Sequence, residues 1–207
     1  MPRRKRPATR PDLPAVRIAT PADRAGVAAM LARAFADDPA MRFIFPDPAD
    51  RARRMPRLFA LLFETDGPRG MRLVTAGGEA ATLWRAPGQA KTGVWEMVRH
   101  APAMLHALGS AVGKALRVAN AIDAHHPPGA FWYLHIAGCD PECQGRGIGG
   151  GIVRDGLARV ADAGLPCYLE TPLERNVGFY RGIGFELTDV WDVPGGGPRF
   201  WSMLRPA

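Results

Sequence analysis

An α/β domain is predicted by three observations: a strand, helix, strand order over residues 131–171, apolar residues that recur at helical spacing in some segments and crowd into short runs in others, and a length suited to one core. The 207 residues are 47% hydrophobic and 23% charged, enough to bury roughly 70% of the surface of the unfolded chain without help from a disulfide or metal.

The elements follow in order. Residues 1–14 combine prolines with a basic cluster and lack apolar periodicity, so they read as a disordered basic tail, and the domain is expected over 15–207. A short strand is expected at 16–19. Thr20-Pro21-Ala22-Asp23 can cap a helix whose Val27, Met30, Leu31 and Phe35 share one face, with Pro39 as its stop. A second helix, 48–63, aligns Met55, Leu58, Phe59 and Leu62. Strands at 71–75 and 80–84 join through Gly77-Gly78, a hairpin signal, and Pro87-Gly88 ends that unit. Residues 93–122 read as helical pieces closed by Pro127-Pro128-Gly129. A strand at 131–138, a helix at 147–163 and a strand at 166–171 then form a crossover, which makes the two strands parallel and the connection right-handed. A short helix at 176–183 and strands at 185–190 and 199–204 complete the chain.

Composition excludes several classes. The net charge of +7 is concentrated at the amino terminus, where Arg3, Arg4, Lys5, Arg6 and Arg10 face only Asp12. The remainder is close to balanced, so nucleic acid is not an expected partner. Cys139, Cys143 and Cys167 are too few for a secreted disulfide framework and favour a reducing compartment, read as cytoplasmic. The longest apolar stretch without formal charge, 100–113, is far short of the roughly 20 residues of a membrane span. The basic amino terminus is not followed by the apolar run of a secretion signal. The C-x-x-x-C spacing of Cys139 and Cys143 has no second ligand pair, so no metal site is expected.

The chemical signal lies between the 131–138 strand and the crossover helix: Cys139-Asp140-Pro141-Glu142-Cys143-Gln144-Gly145-Arg146-Gly147-Ile148-Gly149-Gly150. Glycines at a helix start let backbone N–H groups approach an anion unobstructed, and the helix dipole adds about half a positive charge there. Gly145, Gly147 and Gly150 also fit a dinucleotide G-x-G-x-x-G, with Glu170 about 20 residues on. In that fingerprint, however, the glycines follow the strand at once, whereas five residues intervene here, and too little chain remains for a doubly wound sheet.

Gln144-Gly145-Arg146-Gly147-Ile148-Gly149 resembles the glutamine/arginine-x-x-glycine-x-glycine/alanine motif of the GNAT superfamily of acetyl-CoA-dependent N-acetyltransferases. Downstream, Asn176-Val177-Gly178-Phe179-Tyr180-Arg181-Gly182-Ile183-Gly184-Phe185 is similar to its second signature, a helical tyrosine before a glycine-phenylalanine pair. The resemblance covers residues 131–185. It implies a mixed, mostly antiparallel sheet with a splayed parallel strand pair and helices on both faces. It implies acetyl-CoA as cosubstrate, with its pyrophosphate on Gly145, Gly147, Ile148, Gly149 and Gly150, with Gln144 and Arg146 flanking, and its pantetheine along Ala137, Gly138 and Cys139. The asparagine that many members carry seven residues before the tyrosine is Leu173 here, with Asn176 as a substitute.

The implied reaction is direct acetyl transfer to a primary amine. A lysine-like amine has a pKa of about 10.4, so its deprotonation at pH 7 costs roughly 4–5 kcal/mol and a base is expected. Glu170 on the second splayed strand is the leading candidate, with His135 on the first as another. Tyr180 matches the family's general acid, the proton donor to the departing thiolate. Asp37 and Asp38 are candidate contacts for a substrate ammonium, and His125-His126 reads as an exposed loop pair. The five tryptophans, Trp84, Trp95, Trp132, Trp191 and Trp201, read as core. The expected partner is a small-molecule or peptide amine acceptor, without a membrane, and a homodimer is left open. A catalytically silent acyl-CoA-binding module is the alternative reading.

Overall fold

The computed structural model describes residues 13–207, so the expected basic tail falls outside the described residues except for Leu13 and Pro14. From the amino terminus, β1 (Val16–Ile18) leads through a 3-10 turn at Pro21–Asp23 into α1 (Arg24–Ala34), α2 (Pro39–Ile44) and α3 (Pro48–Asp66). The hairpin β2 (Gly70–Thr75) and β3 (Ala80–Arg85) follows, then α4 (Val94–Leu108), α5 (Val112–Ala124) and β4 (Trp132–Cys139). The crossover helix α6 (Ile148–Val160) returns the chain to β5 (Cys167–Thr171), and α7 (Arg175–Arg181), β6 (Glu186–Asp192) and β7 (Arg199–Arg205) end it.

The seven strands of the described residues lie in one sheet in the order β1-β2-β3-β4-β5-β7-β6. Every neighbouring pair is antiparallel except β4 and β5. That parallel pair is short: Trp132 faces Cys167 and Tyr133 faces Tyr168, and the ladder then stops. From Leu134 onward, among the described residues, β4 is bonded to β3 alone, so the middle of the sheet contains a strand with one unpaired edge. Residues 135–139 of this central strand are only half-buried in consequence.

Two apolar layers cover the sheet. On one face, Met30 and Leu31 of α1, Met55, Phe59 and Phe63 of α3, and Val118 of α5 pack with Val74, Leu83 and Phe200. On the other, Val153 and Leu157 of α6 and Val177 and Tyr180 of α7 pack with Trp84, Leu134, Leu169 and Met203. Neighbours along a strand alternate between these layers, as Leu83 and Trp84 do, because successive side chains point to opposite faces. A register shift opposite Leu83 and Trp84 interrupts the alternation: Leu134 pairs with Trp84 and Ile136 with Leu83, leaving His135 as the extra residue of a bulge in β4.

The structure departs from the sequence reading in four places. The first helix ends at Ala34 instead of running to Pro39, and Pro39 opens α2, where its missing N–H is harmless. Asp38 is the cap of α2, accepting from the amides of Ala40 (2.8 Å) and Met41 (3.1 Å), so it is buried rather than offered to an ammonium. Trp95 is 87% exposed on α4, whereas Trp84 and Trp191 are buried. His125 stacks on Trp191 at 4.1 Å, and His126 is enclosed by Phe131, Tyr133 and Tyr168, so neither is a free loop residue. Among the described residues no helix is long and apolar enough to cross a membrane.

Candidate active site

The turn between β4 and α6 has the geometry the glycines demand. Gly145 and Gly147 take φ of 76° and 81°, the left-handed region that other residues adopt only with strain. Gly147 caps α6, and the first bond of that helix runs from the Gly151 amide to the Gly147 carbonyl at 2.9 Å. The N–H groups of Ile148, Gly149 and Gly150 therefore have no intrahelical acceptor. A Cβ at Gly145 would meet nothing within 4 Å among the described residues, whereas Leu13 lies 3.8 Å from the Cβ position of Gly147. Asp140 fixes the turn, accepting from the Glu142 amide (3.1 Å) and pairing with Arg33 of α1.

The expected binding residues divide by position. Ala137 packs with the layer under α6 and α7, Cys139 with Ile148 and Ile152, and Gly138 faces Leu31 of α1. Gln144 is exposed, and its Nε2 donates to the Cys139 carbonyl at 3.2 Å, so its side chain ties the turn to the strand. Arg146 is exposed and makes no hydrogen bond or ion pair among the described residues. Arg154, one helical turn beyond Gly150, lays its guanidinium back over that glycine, adding a cation that the sequence reading passed over. Asn176 donates to Thr171 Oγ1 (3.1 Å), tying α7 to the end of β5. Phe179 lies 3.6 Å from the Cβ position of Gly150, which brings the two signature segments against each other.

Tyr180 and Glu170 approach the β4–β5 divergence from opposite faces. Tyr180 is buried among Phe179, Phe185, Leu134 and Leu169, and its hydroxyl makes no hydrogen bond among the described residues. Burial, with the nearby Glu170 charge, raises it well above the ordinary tyrosine range and keeps it protonated. Glu170 lies on the face covered by α1–α5, where it lines a cavity of about 310 Å³ together with Tyr133, His135 and Arg85. One carboxylate oxygen accepts from the Tyr133 hydroxyl, while Oε2 is buried without a partner among the described residues. Burial pushes the Glu170 carboxyl up to about 8 against the opposing Tyr133 hydrogen bond and Arg85 charge.

A second carboxylate, Asp66 at the end of α3, completes the cluster. It is fully buried, accepts from Arg85 Nε at 2.8 Å and meets His135 Nδ1 at 2.5 Å. Burial alone would raise Asp66, but His135 and Arg85 outweigh it and hold the acid ionised. Burial and the Arg85 charge push His135 below the usual histidine range. A neutral His135 that donates through Nδ1 to Asp66 carries its lone pair on Nε2. Tyr133, Arg85 and Asp66 escaped the sequence reading. Strand alternation offered a signal for the first two, because Arg85 faces Tyr133 across the β3–β4 ladder and Tyr133 faces Tyr168, two residues before Glu170. Asp66 comes from a helix end remote in sequence and had none.

A mostly antiparallel sheet whose one parallel pair diverges beside a glycine-rich helix start defines the GNAT acyltransferase fold, and this chain has it. Comparison with known proteins agrees. A structure from Corynebacterium glutamicum, histone acetyltransferase HPA2 and related acetyltransferase, is 26% identical with a TM-score of 0.72, covering 95% of this chain and 98% of that one. The polyamine N-acetyltransferase of Drosophila melanogaster has a TM-score of 0.63 at 16% identity (93% and 99% covered), and arylalkylamine N-acetyltransferase 2 of Aedes aegypti one of 0.60 at 10% (93% and 98%). In sequence, a mycothiol acetyltransferase from Nocardiopsis dassonvillei is 38% identical over 66 residues, 30% of this chain. That match spans a fifth of the relative's own length. No protein-family model matches the chain.

Proposed function

We propose that this protein transfers an acetyl group from acetyl-CoA directly to a primary amine, a small molecule or peptide. The observation that carries the reading is the unpaired edge of β4, which runs from the glycine turn to the buried, unpartnered Oε2 of Glu170. When bound, acetyl-CoA supplies an activated acetyl thioester. The amides of Ile148, Gly149 and Gly150, with Arg146 and Arg154, hold its phosphates, and the edge at Ala137, Gly138 and Cys139 pairs with its arm. Glu170 accepts the proton that the amine loses as its nitrogen bonds to the acetyl carbon. Tyr180 donates to the sulfur as the carbon–sulfur bond breaks.

The raised Glu170 matters energetically. Moving a proton from an ammonium of pKa about 10.4 to an ordinary glutamate costs about 8 kcal/mol. With the acceptor at about 8, the same transfer costs about 3 kcal/mol. Acetyl-CoA at a hundred times its Kd should stabilise the fold by about 2.7 kcal/mol, or roughly 5–10 °C in Tm. Gly149→Glu, at a position where among the described residues a Cβ meets only the Cys139 Cβ at an ordinary 3.6 Å, puts a carboxylate at the phosphate turn. It should abolish that shift and amine-dependent thiol release together. An unchanged shift in the variant overturns the placement of the cofactor.

A further inference from the structure

Resting on the acetyltransferase reading, we propose that the acceptor is a primary monoamine with an uncharged apolar body, seated in the cavity between helices α1–α5 and the sheet. The cavity, about 310 Å³, is at the small end of the range for small-molecule sites, which suits a compact acceptor. Glu170, Tyr133, His135 and Arg85 meet where β3, β4 and β5 converge, and apolar walls of Phe35, Met41, Leu58, Leu62, Met104 and Phe200 make up much of the remainder.

The charges lining the cavity set the number of cationic groups it accepts. Among the described residues two acids line it, Glu170 and Asp123, and both lie close enough to Arg85 to feel its charge and to each other to interact. The other described ionisable side chains on the walls, apart from Tyr133, are the bases Arg69, Arg85, His100 and His135. One ammonium meets the unpartnered Glu170 Oε2. The second acid, Asp123, already stands in the field of Lys91, Arg85 and Arg69, so a second ammonium would find cations or apolar wall and no uncompensated carboxylate, and a poorly paired buried charge is costly. An alkyl or aryl body in the same place removes apolar surface from water.

The test compares a straight-chain series, n-butylamine to n-hexylamine, with 1,4-diaminobutane to 1,6-diaminohexane. Two readouts are taken: acetyl-CoA-dependent thiol release, and amine-induced Tm shift with coenzyme A present. kcat/KM should rise roughly fourfold per methylene in the monoamines. Each diamine should fall about a hundredfold or more below its matched monoamine. Met104→Glu, which sets a carboxylate on the apolar wall, should narrow that gap. A flat monoamine series, or diamines equal to or better than monoamines in either readout, overturns the proposal. Monoamines that bind in the expected order while no acetyl moves support the acceptor class and overturn the transferase reading. Transfer that favours diamines does the reverse.

Discussion

Tyr180 and Glu170 stand on opposite faces of the sheet, so their proposed roles are separable by substitution. Tyr180→Phe removes a hydroxyl that makes no hydrogen bond among the described residues, so packing should survive. The proton donor is lost, and single-turnover acetyl transfer should fall by roughly 10²–10⁴. A rate within about twofold of wild type would make this tyrosine structural. His126 makes a different prediction. Both its ring nitrogens are buried without hydrogen bonds among the described residues, and burial first, then the charges of Lys91 and Arg85, push it down to about 4. In the unfolded chain a histidine titrates near 6.5, so between these values the unfolded state binds more protons. Stability is therefore intact above about pH 6.5 and drains as pH falls toward 4, by about 2.5 kcal/mol at pH 4.5. His126→Phe should lose that much less than wild type between pH 7 and pH 4.5 in urea unfolding. Asp38 and Glu170, both raised, act with the opposite sign but are common to both proteins and cancel in the comparison. Parallel losses in the two proteins would show that His126 does not titrate in this window.

At the scale of the elements, the seating of α6 on β3 depends on one missing side chain. A Cβ at Gly156 would stand 2.4 Å from Cζ2 of Trp84, and that indole is fully buried and held by its Nε1 bond to Thr82 Oγ1 at 2.9 Å. The ring cannot withdraw, so the helix must. Alanine in a helix normally gains up to about 1 kcal/mol over glycine, but overpacking a core costs about 1–3 kcal/mol. Gly156→Ala should therefore destabilise by about 1–2 kcal/mol. Gly178→Ala in α7, where nothing among the described residues lies within 4 Å of the added atom, should stabilise by a few tenths to about 1 kcal/mol. Equal signs for the two variants in thermal or chemical unfolding would show that the contact with Trp84 does not limit the approach of α6.

For the whole molecule, legibility followed the range over which the physics acts. The strand, crossover helix, strand unit and the glycine turn were readable because alternation, helical spacing and positive φ at Gly145 and Gly147 are local properties. What escaped was set by tertiary contact. Pro39 reads as a stop in one dimension and is a start once Asp38 caps α2. The bulge at His135 shifts the facing of Ile136, Ala137 and Cys139, and no composition marks it. The cavity walls come from several helices, α4 and α5 among them, whose apolar positions signal helices but not what they enclose. The divergence of β4 from β5 has one more consequence, which concerns length. From Cys139 at the glycine turn to Tyr133, where the two strands rejoin, is six residue steps, about 20 Å of extended chain. The gap is thus a ruler with an anchor at one end and the Glu170 cluster at the other. A thioester carrier gripped by its phosphates delivers its carbonyl to that cluster only if its arm spans about this distance, so a shorter arm would stop within the gap and a longer one would overrun into the apolar lobe.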